Sequence, residues 1–293
     1  MACFFTQVPA VLAQKWLHKI PAILSLDATP RQYDRLGEFY EHDTGPSWLE
    51  QKKYELNVSC YRAASHLVTW SDWAKQGLID EYFVPAEKIT VIPPGVNTAE
   101  WTPPASAPKS ETAPVKILFV GGDLARKGGL VLLEAFRQLR GEANGTAALA
   151  NLELHLVTRD AVTPEPGVHV YNQMQPNSPA LKQLFYDSDI FCLPTFGDCL
   201  PMVLSEAGAA GLPLVSTSVA AIPEIVQQEK TGLLVPPNDT AALTAALRTL
   251  ILNRDQRLAY GQQAQALVRQ AHDAPTNARQ LLTLLKQKID EAN

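Results

Sequence analysis

The sequence predicts an α/β protein built on two parallel, doubly wound sheets. Three observations predict it. Short apolar runs alternate with helical patterns along the chain, which is the order that parallel strands joined by helical crossovers produce. Residues 102–114 (TPPASAPKSETAP) are proline and small polar residues without an apolar period, and read as a linker between two such units. Directly after the linker, the apolar run 115–120 leads into a glycine-rich turn and a helical pattern, so a second unit starts there afresh.

The elements follow in order. Residues 3–6 read as a strand, 8–18 as a helix and 21–27 as a second strand. That strand ends in Asp27-Ala28-Thr29-Pro30, a polar tip where parallel sheets bind ligands; Asp27 reads equally well as the cap of a turn before Pro30. Residues 31–50 are irregular, polar and aromatic, with Tyr33, Phe39, Tyr40, His42 and Trp48, in the manner of a surface loop. A helix over 48–64, a strand over 66–70, a helix over 73–79 capped by Ser71 or Asp72, and a strand over 89–92 complete the first unit.

In the second unit, strands are expected at 115–120, 152–157, 168–171, 190–193, 213–216 and 231–235. Helices are expected at 130–140, 179–186, from near Pro201, at 221–224, at 240–252 behind an Asp239 cap, and at 254–270 and 276–291. The domain boundaries predicted are 1–101, a linker at 102–114, 115–273, and a final helical segment, 274–293, packing back on the first domain.

Composition narrows the function. With 293 residues, 46% of them hydrophobic, the chain is long enough for one large or two ordinary domains and can bury a real core. A net charge of −5 and a pI near 5.7, without a basic stripe, argue against nucleic-acid binding. No apolar run reaches membrane-spanning length, and the apolar start MACFFTQVPAVLAQKW has no basic leader region or convincing cleavage site. Cys3, Cys60, Cys192 and Cys199 lack metal or disulfide spacing, the usage of a cytoplasmic protein. No His/Asp/Glu cluster stands out, so no metal is expected.

Two loops carry the chemistry. Residues 194–210 (PTFGDCLPMVLSEAGAA) run from a buried strand through a short loop into a helix beginning near Pro201. The first amides of a helix have no partner within it, and its dipole favours anions there. Asp198 in the loop and Glu206 two turns on are placed to hold sugar hydroxyls, although an acid before a helix also reads as a plain cap. The loop 121–129 (GGDLARKGG) lacks both G-x-G-x-x-G and the P-loop pattern, but sets Arg126 and Lys127 beside a helix start. Two cations there suit a diphosphate, and equally suit a solvated surface pair.

Together these stretches resemble the family 4 glycosyltransferases of GT-B fold. The matching motifs are VGGDLARKGG at 120–129, DCLPMVLSE at 198–206, IPEIV at 222–226 and TGLLVP at 231–236, with ITVIPPGVN at 89–97 a weaker echo upstream. The resemblance implies a GT-B protein of two Rossmann-like domains. Only residues 1–101 precede the linker, and they begin on a strand. The N-terminal domain is therefore expected to be incomplete, making the chain a fragment, a mis-started product or a degenerate copy.

Carried across position by position, the resemblance implies that Lys127 and neighbouring Arg126 neutralise the donor diphosphate beside Gly121 and Gly122. Asp198 faces the transferred sugar and Glu206 holds the ribose. Leu200, Pro201, Met202 and Val203 meet phosphate and ribose, and Tyr171 and Asn172 lie near the base. Asp27 and Thr29 are the acceptor-side candidates.

Four positions depart from the family pattern. Asp198 replaces a glutamate, Gly122 stands where an arginine is common, Ala220-Ala221 replaces a glycine pair, and Leu26-Asp27 stand where a histidine is expected. The implied activity is retaining transfer of a hexose from a UDP- or GDP-linked sugar to an acceptor hydroxyl in a glycan, lipid or small molecule. No metal or other cofactor is required. The alternative is a nucleotide-sugar-binding protein without transferase activity; a third reading is a nucleotide-sugar epimerase. Peripheral attachment at the inner membrane face is compatible with the family, although no basic amphipathic helix calls for it. The sequence carries no signal of oligomeric state.

Overall fold

The computed structural model describes residues 2–37, 45–102, 113–143 and 146–291. Phe39, Tyr40 and His42, and most of the proline-rich linker, lie outside the described residues. The chain divides into two compact units, one of Met1–Gly95 with Ala274–Asn293 and the other of Val96–Asp273.

The first unit runs β1 (Ala2–Phe4), α1 (Gln7–Leu12), α2 (Gln14–Leu17), β2 (Ala22–Leu26), α3 (Pro30–Arg35), α4 (Ser47–Ala63), β3 (His66–Thr69), α5 (Asp72–Tyr82) and β4 (Ile89–Val91). Among the described residues these strands form one parallel sheet in the order β1-β2-β3-β4. Every residue of β2, Ala-Ile-Leu-Ser-Leu, is buried, because both faces of the sheet are covered. On one face Leu24 and Leu26 pack with Leu17, Cys60, Tyr61 and Leu78. On the other, Ile23, Val68 and Ile92 meet Leu281, Leu284 and Leu285 of the chain's last helix, Ala274–Asp290. Those three leucines recur at helical spacing, so one stripe of that helix covers the sheet.

The largest differences from the sequence expectation in this unit fall in two segments. The helix expected over 8–18 is split at Ala13, where Trp16 N–H turns back three residues to the Ala13 carbonyl at 2.8 Å. Part of the expected loop at 31–50 is the helix α3. Thr29 Oγ1 accepts the Gln32 N–H at 3.1 Å, the Gln32 side chain accepts the Thr29 N–H at 3.0 Å, and Pro30 takes the first helical position. That reciprocal cap fixes the helix start and contributes about 1 kcal/mol.

The second unit runs β5 (Lys116–Val120), α6 (Gly129–Gly141), α7 (Ala147–Ala150), β6 (Glu153–Val157), β7 (Val168–Tyr171), α8 (Pro179–Asp187), β8 (Ile190–Leu193), α9 (Met202–Ala209), β9 (Leu214–Thr217), α10 (Ile222–Ile225), β10 (Gly232–Val235), α11 (Thr240–Leu252) and α12 (Arg254–Ala271); the last helix of the chain is α13. Its strands are all parallel, in the order β10-β9-β8-β5-β6-β7. The first strand of the unit, β5, therefore lies in the middle. The sheet grows one way through β6 and β7 and the other way through β8, β9 and β10. At the β5–β8 junction the crossovers leave in opposite directions, which opens a crevice at the carboxyl ends of the strands.

Among the described residues no helix is long and apolar enough to cross a membrane. All four cysteines are free thiols, with Cys60, Cys192 and Cys199 buried.

Candidate functional site

The crevice between β5 and β8 is bounded by the two loops that follow those strands, residues 121–128 and 194–201. They touch backbone to backbone. Gly128 has φ 78°, and a Cβ there would lie 1.9 Å from the Pro194 carbonyl oxygen, so only glycine fits. Gly121 serves the same end for a side chain, since a Cβ on it would sit 3.0 Å from Lys127 Cβ and 2.8 Å from Phe119 Cζ. Phe196 N–H donates to the Arg126 carbonyl at 3.0 Å, and Arg126 Nη1 donates to the Gly197 carbonyl at 2.9 Å. Asp123 accepts from Arg126 N at 2.9 Å and from its Nε at 3.3 Å.

Across this junction the Lys127 ammonium is paired directly with the Asp198 carboxylate, their side chains only 16% and 14% exposed. The two sequence-predicted residues are thus brought into contact from loops 71 residues apart. The pair leaves each of these two poorly hydrated charges with a partner of opposite sign. Arg126 spans the two loops, bonded to Asp123 on one and to the Gly197 carbonyl on the other.

Helix α9 starts where expected. Its cap residue, Pro201, makes no side-chain cap bond, and the Met202 and Val203 amides have no partner within the helix. Leu200 and Pro201 are buried and carry the chain into the helix. Glu206, in the second turn, is half-buried and makes no side-chain hydrogen bond or ion pair among the described residues. Burial pushes its carboxyl above the usual carboxylate range, and the charge of Lys182 pulls weakly the other way.

The remaining candidates are placed as follows. Gly122 has Arg159 packed against it: a Cβ at Gly122 would lie 2.8 Å from Arg159 Nε, and that nitrogen is 3.4 Å from the Gly122 carbonyl. Sequence reasoning missed Arg159; its signal is its place just past the carboxyl end of β6, next to β5. Asn172 is occupied locally, donating to the carbonyls of Asp160 at 2.9 Å and Thr158 at 3.3 Å. Tyr171 ends the edge strand β7, and its hydroxyl lies 3.0 Å from His155 Nδ1.

In the first unit, Thr29 is fully buried and its hydroxyl is the α3 cap, so it offers nothing to an acceptor. Asp27 lies on the wall of a cavity of about 790 Å³, with Thr6, Val11, Arg31, Glu50 and Tyr54 also lining it.

The expectation that no His/Asp/Glu cluster exists is corrected by the structure. Glu153 and His155 on β6 and His169 on β7 come together, with one ligand atom from each lying within 4.8 Å of the others. Pairing of β6 with β7 brings them together, and sequence spacing does not reveal that register.

Two family models match the chain: Glycosyltransferase Family 4 over residues 2–100 and Glycosyl transferases group 1 over 114–253. The putative colanic acid biosynthesis glycosyltransferase WcaL of Escherichia coli (strain K12) is 32% identical over 247 residues, 77% of this chain and 57% of that protein. The chain spans about half the length of the curated relatives it matches. Among solved structures, the sucrose-phosphate synthase of Thermosynechococcus elongatus aligns with TM-score 0.76 at 18% identity, over 99% of this chain and 74% of that one. Anabaena Alr3699/HepE in complex with UDP aligns with TM-score 0.73 at 17% identity, over 98% of this chain and 79% of that one.

Proposed function

The chain belongs to the glycosyltransferases of group 1 and family 4 and has their GT-B fold; from that premise we propose that its second unit binds a nucleoside diphosphate sugar across the β5–β8 crevice and serves transfer of the sugar, a hexose, to an acceptor hydroxyl with retention. The observation that carries the reading is the direct pairing of Lys127 with Asp198 between the loops that follow β5 and β8, the second of which leads into α9, the helix that carries Glu206.

Each group has a task on this reading. As the glycosidic bond breaks, negative charge gathers on the leaving diphosphate. The Lys127 ammonium and the Met202 and Val203 amides stabilise it, in a place already arranged to receive charge. Lys127 exchanges Asp198 for a phosphate oxygen, and the released carboxylate accepts hydrogen bonds from the sugar hydroxyls. Glu206 accepts from the ribose hydroxyls, which gives its buried carboxylate the partners it lacks. Arg126 holds the loops together, while Arg159 brings a second cation to Gly122. The stretch beginning at Tyr171 and Asn172 is assigned to the base, with uridine favoured over guanosine by the UDP in the HepE structure. Asp27, on its cavity, is the acceptor-side residue retained. None of these steps calls for a metal.

The test is calorimetric titration with UDP- and GDP-linked hexoses, coupled to assays for glycosylated product and donor hydrolysis. Donor binding followed by product supports transfer; binding without any turnover supports a donor-binding protein, and absence of binding overturns the assignment.

Glu206 gives a prediction with two opposed signs. Glu206→Gln is expected to weaken donor binding by about 1–2 kcal/mol, roughly five- to thirtyfold, because a charge-assisted bond becomes a neutral one. The unliganded protein should become more stable. The folded-state pKa of Glu206 is raised by burial, so the unfolded chain gives up this proton at lower pH than the folded one. Wild-type stability is therefore lost as pH rises from the unfolded carboxylate value, about 4.3, through the folded one. Denaturant midpoints should show the variant ahead at pH 7 and level with wild type at acid pH; a variant less stable at pH 7 would contradict the burial argument.

A further inference from the structure

We propose that Glu153, His155 and His169 form a site for one divalent transition-metal ion, Zn²⁺ first, which clamps the edge strand β7 to β6. The argument begins with strand geometry. Glu153 and His155 are two residues apart on β6, so their side chains stand on the same face of the sheet. His169 is directly paired with His155 in the β6–β7 register, so it joins them on that face. The imidazoles lie 4.7 Å apart, nearly parallel at 22°.

The distances suit one ion. His155 Nε2 and Glu153 Oε2 are 3.2 Å apart. Two ligands held at about 2.0–2.1 Å by a tetrahedral ion are separated by roughly that distance, about 3.3 Å. The whole set lies within 4.8 Å, and His169 is exposed and free to turn inward. Two imidazoles and one carboxylate are a zinc donor set that leaves a fourth position for water. The other ring nitrogen of His155 is already oriented, 3.0 Å from the Tyr171 hydroxyl, which can accept its N–H once Nε2 holds the metal.

One neighbour opposes the ion. Lys116, paired with Glu153 in the β5–β6 register, has its Nζ 3.9 Å from Glu153 Oε2. Its positive charge beside Glu153 lowers the site's affinity for a cation. Position also decides the role. Glu153 is the first residue of β6, at the end of the sheet opposite the donor loops, so the ion is a structural clamp and takes no part in transfer. An edge strand with one neighbour gains most from such a link.

The experiment uses the full chain, without a polyhistidine tag, titrated with zinc chloride by calorimetry and with cobalt(II) by absorption spectroscopy. One ion per chain is expected, with a cobalt d–d spectrum and no thiolate charge-transfer band. Zinc should raise the melting temperature. His169→Ala, at an exposed position, should weaken zinc binding at least about tenfold and abolish the thermal shift. Lys116→Met should tighten binding severalfold. No binding at micromolar zinc, a thiolate band, or an affinity unchanged in either variant would overturn the proposal.

Discussion

Replacing Lys127 with alanine is expected to lower kcat/KM for sugar transfer by about 10²–10³, the loss seen when one preorganised group is withdrawn from a developing negative charge. Donor affinity should fall with it, because the ammonium meets the diphosphate in ground and transition states alike. The substitution also leaves the Asp198 carboxylate without its partner in a poorly hydrated place, so stability should drop as well. A second variant separates the two effects. Lys127→Met with Asp198→Asn removes both charges, and should recover most of the lost stability while transfer stays at least as impaired as in Lys127→Ala. Chemical denaturation and steady-state kinetics on the three proteins read this out. Recovery of activity alongside stability would assign Lys127 a purely structural role.

Gly128→Ala should be the most damaging single change for the fold of the site. The backbone there is left-handed, at φ 78°, and the added methyl would be placed 1.9 Å from the Pro194 carbonyl oxygen. Left-handed strain and steric overlap together are expected to cost about 3 kcal/mol or more. To relieve the clash the loops after β5 and β8 must separate, which breaks the Phe196–Arg126 and Arg126–Gly197 bonds and parts Lys127 from Asp198. Donor binding and stability should therefore fall together. Gly141→Ala, at the end of α6 with open space around it, is the matched control and should be neutral or slightly stabilising. Equal denaturation midpoints for the two variants would show that the loops do not depend on this contact.

The parts of this architecture that are local in sequence could be read from it. Ile-Phe-Cys-Leu of β8 is unbroken in its apolarity because both faces of the strand are buried, and its four residues match the expected strand. The Lys127 and Asp198 loops were legible because each lies between a buried strand and a helix start. Ala220 shows what composition hides: its φ is 48°, in the left-handed region that favours glycine, although the residue carries a Cβ.

What escaped is non-local or ambiguous. The sequence from Arg31 on reads as an irregular loop, because a proline after a polar residue ends structure as often as it begins a helix; the decisive contact is the reciprocal cap between Thr29 and Gln32. Arg159 and the Glu153–His155–His169 cluster depend on strand order and register. Nothing in a linear reading says that β6 lies between β5 and β7, or that His155 faces His169.

The most direct measurement is a crystal structure of the protein with a bound nucleoside diphosphate, UDP first. The account predicts the diphosphate at the carboxyl ends of β5 and β8, with Lys127 turned from Asp198 onto a phosphate oxygen, the α9 amides on the same group and the ribose on Glu206. A nucleotide bound elsewhere, with the Lys127–Asp198 pair intact and Glu206 untouched, would contradict it.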